Sequence, residues 1–125
     1  MLRGRVYRAL PVDFDTAHYF VVVSNNARNR ALPSVLAVRL TTANKPPLPS
    51  IVELPPGEVL TGRAACDDIY EIWDDEVRQD LGAFTPATMA AIEDGLRHEG
   101  ARGVELQQQP LHVVDVVGAT LGILR

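Results

Sequence analysis

Arg39 and Thr41 stand two residues apart in the run "SVLAVRLTT". In an extended chain, residues i and i+2 share a face. A guanidinium and a hydroxyl therefore project from one side, while Leu36, Val38 and Leu40 alternate onto the other and read as core. A delocalised cation with a donor beside it suits phosphate oxygens; a surface arginine next to a strand-ending threonine is the plainer reading. His18 opens a second apolar run, "HYFVVVS". Imidazole titrates near neutral pH, so it can exchange a proton or, once protonated, hold an anion. It can equally be a strand-entry side chain bonded to a carbonyl. Asp67 has the strand parity of Arg63 and Ala65. It is a base, a group that orients one, or a carboxylate bonded to backbone at a strand end. The three histidines, His18, His98 and His112, are far apart and fall on dissimilar elements. No metal cluster and no cofactor are expected.

Between the two strong runs lies "NNARNRALP". Asn25, Asn26, Arg28 and Arg30 crowd this connection, and Lys45 follows Thr42 in the loop expected to face it. Basic side chains beside a strand surface suit a polyanion, and amide side chains can read polar edges. The segment is one wall of a groove, a solvated hairpin tip or part of a contact between subunits.

The elements that must position these groups are mostly strands. "GRVYRAL" alternates as a half-buried strand does. His18–Ser24 and Ser34–Thr42 are rich in β-branched residues and predict strands. "PVDFDTA" and the proline-rich "ANKPPLP" predict loops. Ser50–Leu54 predicts a short strand and Gly62–Ile72 another. "DDEVRQDLG" predicts a helical turn or two from Asp74. "TPATMAAIEDGLRHEG" predicts the one clear helix, with Thr85 as cap, Pro86 in the first turn and Gly100 just past the end. Met89, Ile92 and Leu96 share one face of it. "QQQP" reads as a linker and Leu111–Val117 as an extra strand. Short strands followed by a helix imply a small antiparallel barrel carrying a C-terminal helix.

Bulk composition agrees with one domain. The chain has 125 residues, 46% apolar and 22% charged, enough for a modest core. A single cysteine, Cys66, excludes a disulfide framework and suggests the reducing cytoplasm. No secretory leader pattern is seen at the start. No uncharged run of about 18 residues exists, so no membrane span is expected. Net charge is −4, but residues 1–50 carry +5 and residues 51–125 carry −9. That asymmetry points to a polyanion-facing surface unless the two halves interleave in space.

Four segments, in order and spacing, carry a resemblance: "GRVY", "VVVSNNARNRALPSVLAVRLTT", "LTGRAACDDI" and "LGAFTPATM". Across residues 3–98 the chain resembles the MazF/PemK (Kid) toxins. The resemblance implies an SH3-like (PemK/CcdB-type) barrel over residues 1–100, usually as a homodimer, with residues 101–125 as an extension. It implies a metal-independent ribonuclease acting on single-stranded RNA. In that chemistry the 2′-hydroxyl attacks the neighbouring phosphate and leaves a cyclic phosphate and a 5′-hydroxyl. It implies an antitoxin whose disordered acidic C-terminal segment covers the RNA groove. Carried over by position, the family's strand-opening arginine falls on His18 and its following proline on Tyr19. The strand-closing threonine falls on Thr41, the aspartate on Asp67, and a second arginine on Ala65. The family's long first loop is shortened to "PVDFDTA". With Arg39 added from its shared face with Thr41, the resemblance makes His18, Thr41, Arg39 and Asp67 the catalytic candidates. Asn25, Asn26, Arg28, Arg30, Thr42, Lys45 and Arg63 are the RNA-binding candidates. A catalytically degenerate binding module and a gyrase-poisoning toxin of the same fold are the rival implications.

Overall fold

The computed structural model describes residues 1–107, with side chains described through His98. Six strands form one sheet: β1 (Arg5–Ala9), β2 (His18–Val22), β3 (Ser34–Thr41), β4 (Ile51–Glu53), β5 (Arg63–Trp73) and β6 (Val77–Ala83). Their spatial order is β4-β5-β3-β2-β1-β6, and every neighbouring pair is antiparallel. The mainly β architecture with a long C-terminal helix is as the sequence implied. The sheet is open, however, with β4 and β6 as its edges. β4 is three residues long and lies between the proline-rich 46–49 segment and Pro55-Pro56, so its outer edge is too short to continue the ladder.

One expectation fails and another holds only in part. "NNARNRA" is a helix, α1 (Asn26–Ala31), rather than an irregular connection. Asn25 caps it, its side-chain oxygen accepting from the Arg28 N–H at 3.0 Å, as an asparagine ahead of helix formers does. The segment after Trp73 makes a single 3₁₀ turn, Asp74–Glu76, and then enters β6. β1 otherwise has an unpaired outer edge, and β6 supplies its partners from Arg5↔Ala83 to Ala9↔Val77. Pairing outweighs the weak helical pattern.

The terminal helix α2 (Pro86–Gln107) begins as expected but runs through Gly100. An interior glycine costs about 1 kcal/mol, which is not enough to end the helix there. The boundary expected at residue 100 thus falls inside a helix. The strand expected at Leu111–Val117 lies outside the described residues. Thr85 caps α2, with its hydroxyl facing the Thr88 N–H at 3.4 Å. Glu58, from the loop after β4, accepts from the Thr85 N–H at 3.1 Å and from the Thr85 hydroxyl at 2.7 Å. A carboxylate at a helix start also complements the helix dipole.

Both faces of the sheet carry core. On one face Val6, Val21, Val23, Leu36, Val38 and Leu40 pack with Ile92 and Leu96 of α2. Met89 packs against the same cluster, so the helix uses the face its spacing predicted. Gly95 lets α2 approach closely: a Cβ there would lie 2.9 Å from Cys66 Sγ and 3.0 Å from Val52 Cγ2. On the other face Phe20, Val22, Val35, Ala37 and Ile72 form a smaller cluster with Phe14 and Tyr70 packed against it. Leu96 is fully buried, so Leu96→Ala should cost about 2–5 kcal/mol. Urea unfolding of the two proteins measures it, and a loss below roughly 1 kcal/mol would mean that α2 does not seal this core.

Candidate active site

The second face of the sheet opens to solvent where β2 begins and β3 ends. Along β3, Val35 and Ala37 are buried on this face, and Arg39 and Thr41 follow them with partial exposure. Register sets Phe20 against Arg39 and Tyr19 against Leu40, so His18 comes next to the end of β3. His18, Arg39, Thr41 and Thr42 line one cleft of about 410 Å³, with Ala17 and Leu60 among its walls.

Arg39 meets His18 within it. Nη2 of the guanidinium donates to Nδ1 of the imidazole at 3.2 Å. A guanidinium has no lone pair to offer, so Nδ1 must be the acceptor. The ring proton then sits on Nε2, which faces the Thr16 hydroxyl at 3.3 Å. Phe14 packs its ring edge-on against the imidazole, centroids 5.2 Å apart. Burial, and then the charge of Arg39, lower the pKa of His18 below the ordinary 6.5. Both disfavour imidazolium, so at neutral pH the ring is an uncharged acceptor.

Arg39 is held from its far side by β5. Nη1 lies 4.0 Å from a carboxylate oxygen of Asp68. Asp68 is the main reason the pKa of the Tyr70 hydroxyl beside it is raised. This corrects the expectation for Asp67. Ala65 opposes Arg39 and Ile69 opposes Val38, so Cys66, Asp67 and Asp68 have no partners across β3. The bulge breaks the alternation on which the parity of Asp67 was based. Asp67 is exposed, does not line the cleft, and its side chain makes no hydrogen bond or ion pair among the described residues; its neighbour Asp68 reaches Arg39 instead. A bulge leaves no clear mark on a strand sequence, and the doubled aspartate in "CDDIY" was the only signal.

Thr41 is set by the turn that follows it. Its hydroxyl oxygen accepts from the Ala43 N–H at 3.1 Å, leaving its own proton to donate. Arg63 is tied to the turn: Nη1 donates to the Thr42 and Ala43 carbonyls at 3.3 and 3.2 Å, and Nε pairs with Glu53. It fixes the turn. Of the basic loop, Arg28 is buried, donating to the Ser34 carbonyl at 2.7 Å with Glu71 at 3.8 Å. Asn26 accepts from the Arg3 N–H at 2.8 Å. Asn25, Asn26 and Arg28 thus build α1 and its seat. Arg30, Thr42 and Lys45 are exposed.

The turn depends on Gly62, whose φ is +122° and whose Cβ, if present, would lie 2.4 Å from the Thr41 carbonyl oxygen. Gly62→Ala should therefore destabilise the protein by roughly 1–3 kcal/mol and shift Thr41. Urea unfolding with an NMR map of shifts around Thr41 tests both; an unperturbed Thr41 would show the turn to be set by Arg63 alone.

The histidines are dispersed: His18 is on β2 and His98 on α2, and His112 lies outside the described residues. Among the described residues no group of three His, Cys, Asp or Glu side chains is gathered to hold a metal. No described helix is long and apolar enough to cross a membrane.

Comparison with known proteins places the chain in a family. Residues 9–99 match the family described as "PemK-like, MazF-like toxin of type II toxin-antitoxin system". The chain is 43% identical over 95 residues to Endoribonuclease MazF1 of Mycobacterium bovis and, to the same extent, to Endoribonuclease MazF4 of Mycobacterium tuberculosis. Each match covers 76% of this chain and 88% of the relative. A solved mycobacterial endoribonuclease in complex with its cognate antitoxin superposes with a TM-score of 0.72 at 40% identity, covering 85% of this chain and 96% of that one. The MazE–MazF complex of Deinococcus radiodurans, at 19% identity and a TM-score of 0.65, shares the fold. With the greater part of its length matched, this chain belongs to the PemK-like, MazF-like toxin family of type II toxin–antitoxin systems.

Proposed function

We propose that the chain is the toxin of such a pair and a metal-independent endoribonuclease acting on single-stranded RNA in the cytoplasm. One observation carries the reading: a neutral imidazole, a guanidinium and a hydroxyl with an undirected proton line one cleft, His18 and Arg39 meeting at 3.2 Å. These are the groups that cleavage by a 2′-hydroxyl needs, a base and donors for the phosphate.

His18 Nδ1 takes the proton of the 2′-hydroxyl as that oxygen bonds to phosphorus. Arg39 and the Thr41 hydroxyl donate to the non-bridging phosphate oxygens, where charge accumulates. The bond from phosphorus to the 5′-oxygen breaks, and that oxygen takes a proton from water in the open cleft. The products are a cyclic phosphate and a 5′-hydroxyl. Asp67 stands outside this set, because its side chain meets none of the reacting groups. Thr42 at the cleft wall and the exposed cations Lys45 and Arg30 would guide the strand, while Asn25, Asn26, Arg28 and Arg63 shape the surfaces that carry them. We further propose a homodimer neutralised by an antitoxin with a disordered acidic C-terminal segment; the complex reported for the mycobacterial relative supports an antitoxin partner.

The test is cleavage of a long unstructured RNA in EDTA, with end mapping. Cyclic phosphate and 5′-hydroxyl ends are expected. Their rate of formation should fall by about 10²–10⁴ in His18→Ala and about 10²–10³ in Thr41→Ala. Binding without cutting would identify a non-catalytic module of this fold. The pH dependence of kcat/KM follows from the His18 environment: its pKa is lowered, so the base is already free at neutral pH. The rate should rise with pH through a limb below 6.5 and then level off, and Arg39→Gln should move that limb upward. A limb that stays in place in Arg39→Gln would assign the ionisation to another group.

A further inference from the structure

The resting contact between Arg39 and His18 poses a difficulty that rests on the endoribonuclease reading above. The lone pair of Nδ1 is occupied by a donor from Arg39, yet it is the lone pair a base must use. Nε2 cannot replace it, since it carries the ring proton and faces Thr16. Arg39 meanwhile has unspent capacity: its Nε is buried without a hydrogen-bond partner. A buried unpaired donor costs about 1–3 kcal/mol, and an oxyanion would satisfy it.

We propose that Arg39 is a substrate-responsive gate on His18, and that Asp68 and Tyr70 are the positioning residues that keep it in place. The Arg39 guanidinium bridges Nδ1 on one side and Asp68 on the other. A phosphodiester entering the cleft competes for the guanidinium with a full negative charge, which a neutral imidazole lacks. The guanidinium turns onto the phosphate about its Asp68 and Tyr70 tether, and Nδ1 is freed to take the 2′-hydroxyl proton. The same event brings an anion near the ring and screens the Arg39 charge, so the imidazole becomes more basic when a proton must be accepted.

The surroundings of His18 support this. Arg39 and Thr41 face it from β3, and Thr16 and Phe14 from the loop between β1 and β2. Asp13 and Asp15 of that loop are exposed, and no carboxylate forms an ion pair with the ring among the described residues. Asp68 reaches the ring only through Arg39. Phe14, Phe20 and Tyr70 pack edge to face, which fixes the Tyr70 ring and with it the direction of its hydroxyl.

The experiment is NMR of ¹⁵N-labelled histidine in the full chain, following tautomer and titration of His18. Two probes supply phosphate-like charge without being cut: inorganic sulfate, and a mixed-sequence single-stranded DNA that lacks the 2′-hydroxyl. The free protein should show the Nε2–H tautomer. Either probe should raise the proton affinity of His18 by about tenfold. Asp68→Asn and Tyr70→Phe should abolish most of that response. They should also lower kcat/KM about tenfold to a hundredfold with little change in thermal unfolding, and Asp68→Glu should recover part of both. An unchanged His18 response in Asp68→Asn and Tyr70→Phe overturns the tether, and an Nδ1–H tautomer in the free protein overturns the gate. If the gating signature is intact but the wild-type protein cuts no RNA, the gate stands and the nuclease reading fails.

Discussion

The structure depends on β3 being buried on both faces for most of its length. Val35, Leu36, Ala37 and Val38 are each at most 1% exposed, so the strand runs through the middle of two cores. Burying such side chains stabilises by about 1.5–3 kcal/mol for each large one. That places Arg39 and Thr41 with little freedom, because the strand cannot slip without turning Leu36 and Val38 out of the helix-covered core. The two polar residues appear where the smaller core ends. Their precision comes from apolar packing on residues that precede them.

That packing also explains why a cation can sit beside a histidine. The smaller cluster supplies an apolar floor of Phe20, Phe14 and Tyr70, which disfavours charge on the imidazole. A neutral ring offers one lone pair, and Arg39 occupies it. Asp68 lies behind the guanidinium as a counter-charge. Acceptor, charge and counter-charge follow one another across β2, β3 and β5, and no two like charges are forced together. The family position that the sequence carries over as His18 therefore does not leave the cleft without a cation: Arg39, from the neighbouring strand, supplies it.

Much of this was legible from residue types. β2 and β3 are rich in β-branched residues, and α2 declares itself by Thr85, Pro86 and the spacing of Met89, Ile92 and Leu96. The face shared by Arg39 and Thr41 follows from a period of two, and His18 entered by position. Three things were not legible, each for a physical reason. β6 forms because β1 needs an outer partner, a demand its own sequence does not state. The bulge at Cys66–Asp68 changes which aspartate faces Arg39, and only pairing with β3 reveals it. Whether Arg28 turns inward depends on Ser34 and Glu71, contacts that α1 creates. The signal for α1 was present, since Asn25 precedes alanine and arginine, but six residues of helix are too short to read by periodicity.

The charge asymmetry along the chain has a similar resolution. Arg3 pairs with Glu93, Arg5 with Asp80, Arg28 with Glu71 and Arg39 with Asp68. Each cation comes from the first fifty residues and each carboxylate from the rest, so the two halves interleave. The exposed pairs among them, such as Arg5 with Asp80, add little stability. Their larger effect is on the field: most of the basic half is neutralised locally, and Arg8, Arg30 and Lys45 remain of it without an ion pair among the described residues. A polyanion is then not attracted to this surface as a whole. It gains most where a cation can exchange its partner for a phosphate, and Arg39, with a partly exposed side chain, a carboxylate only at 4.0 Å and an unpaired Nε, is the cation in the cleft that meets that condition. The electrostatics that hide most of the arginines thereby help to select the one beside His18.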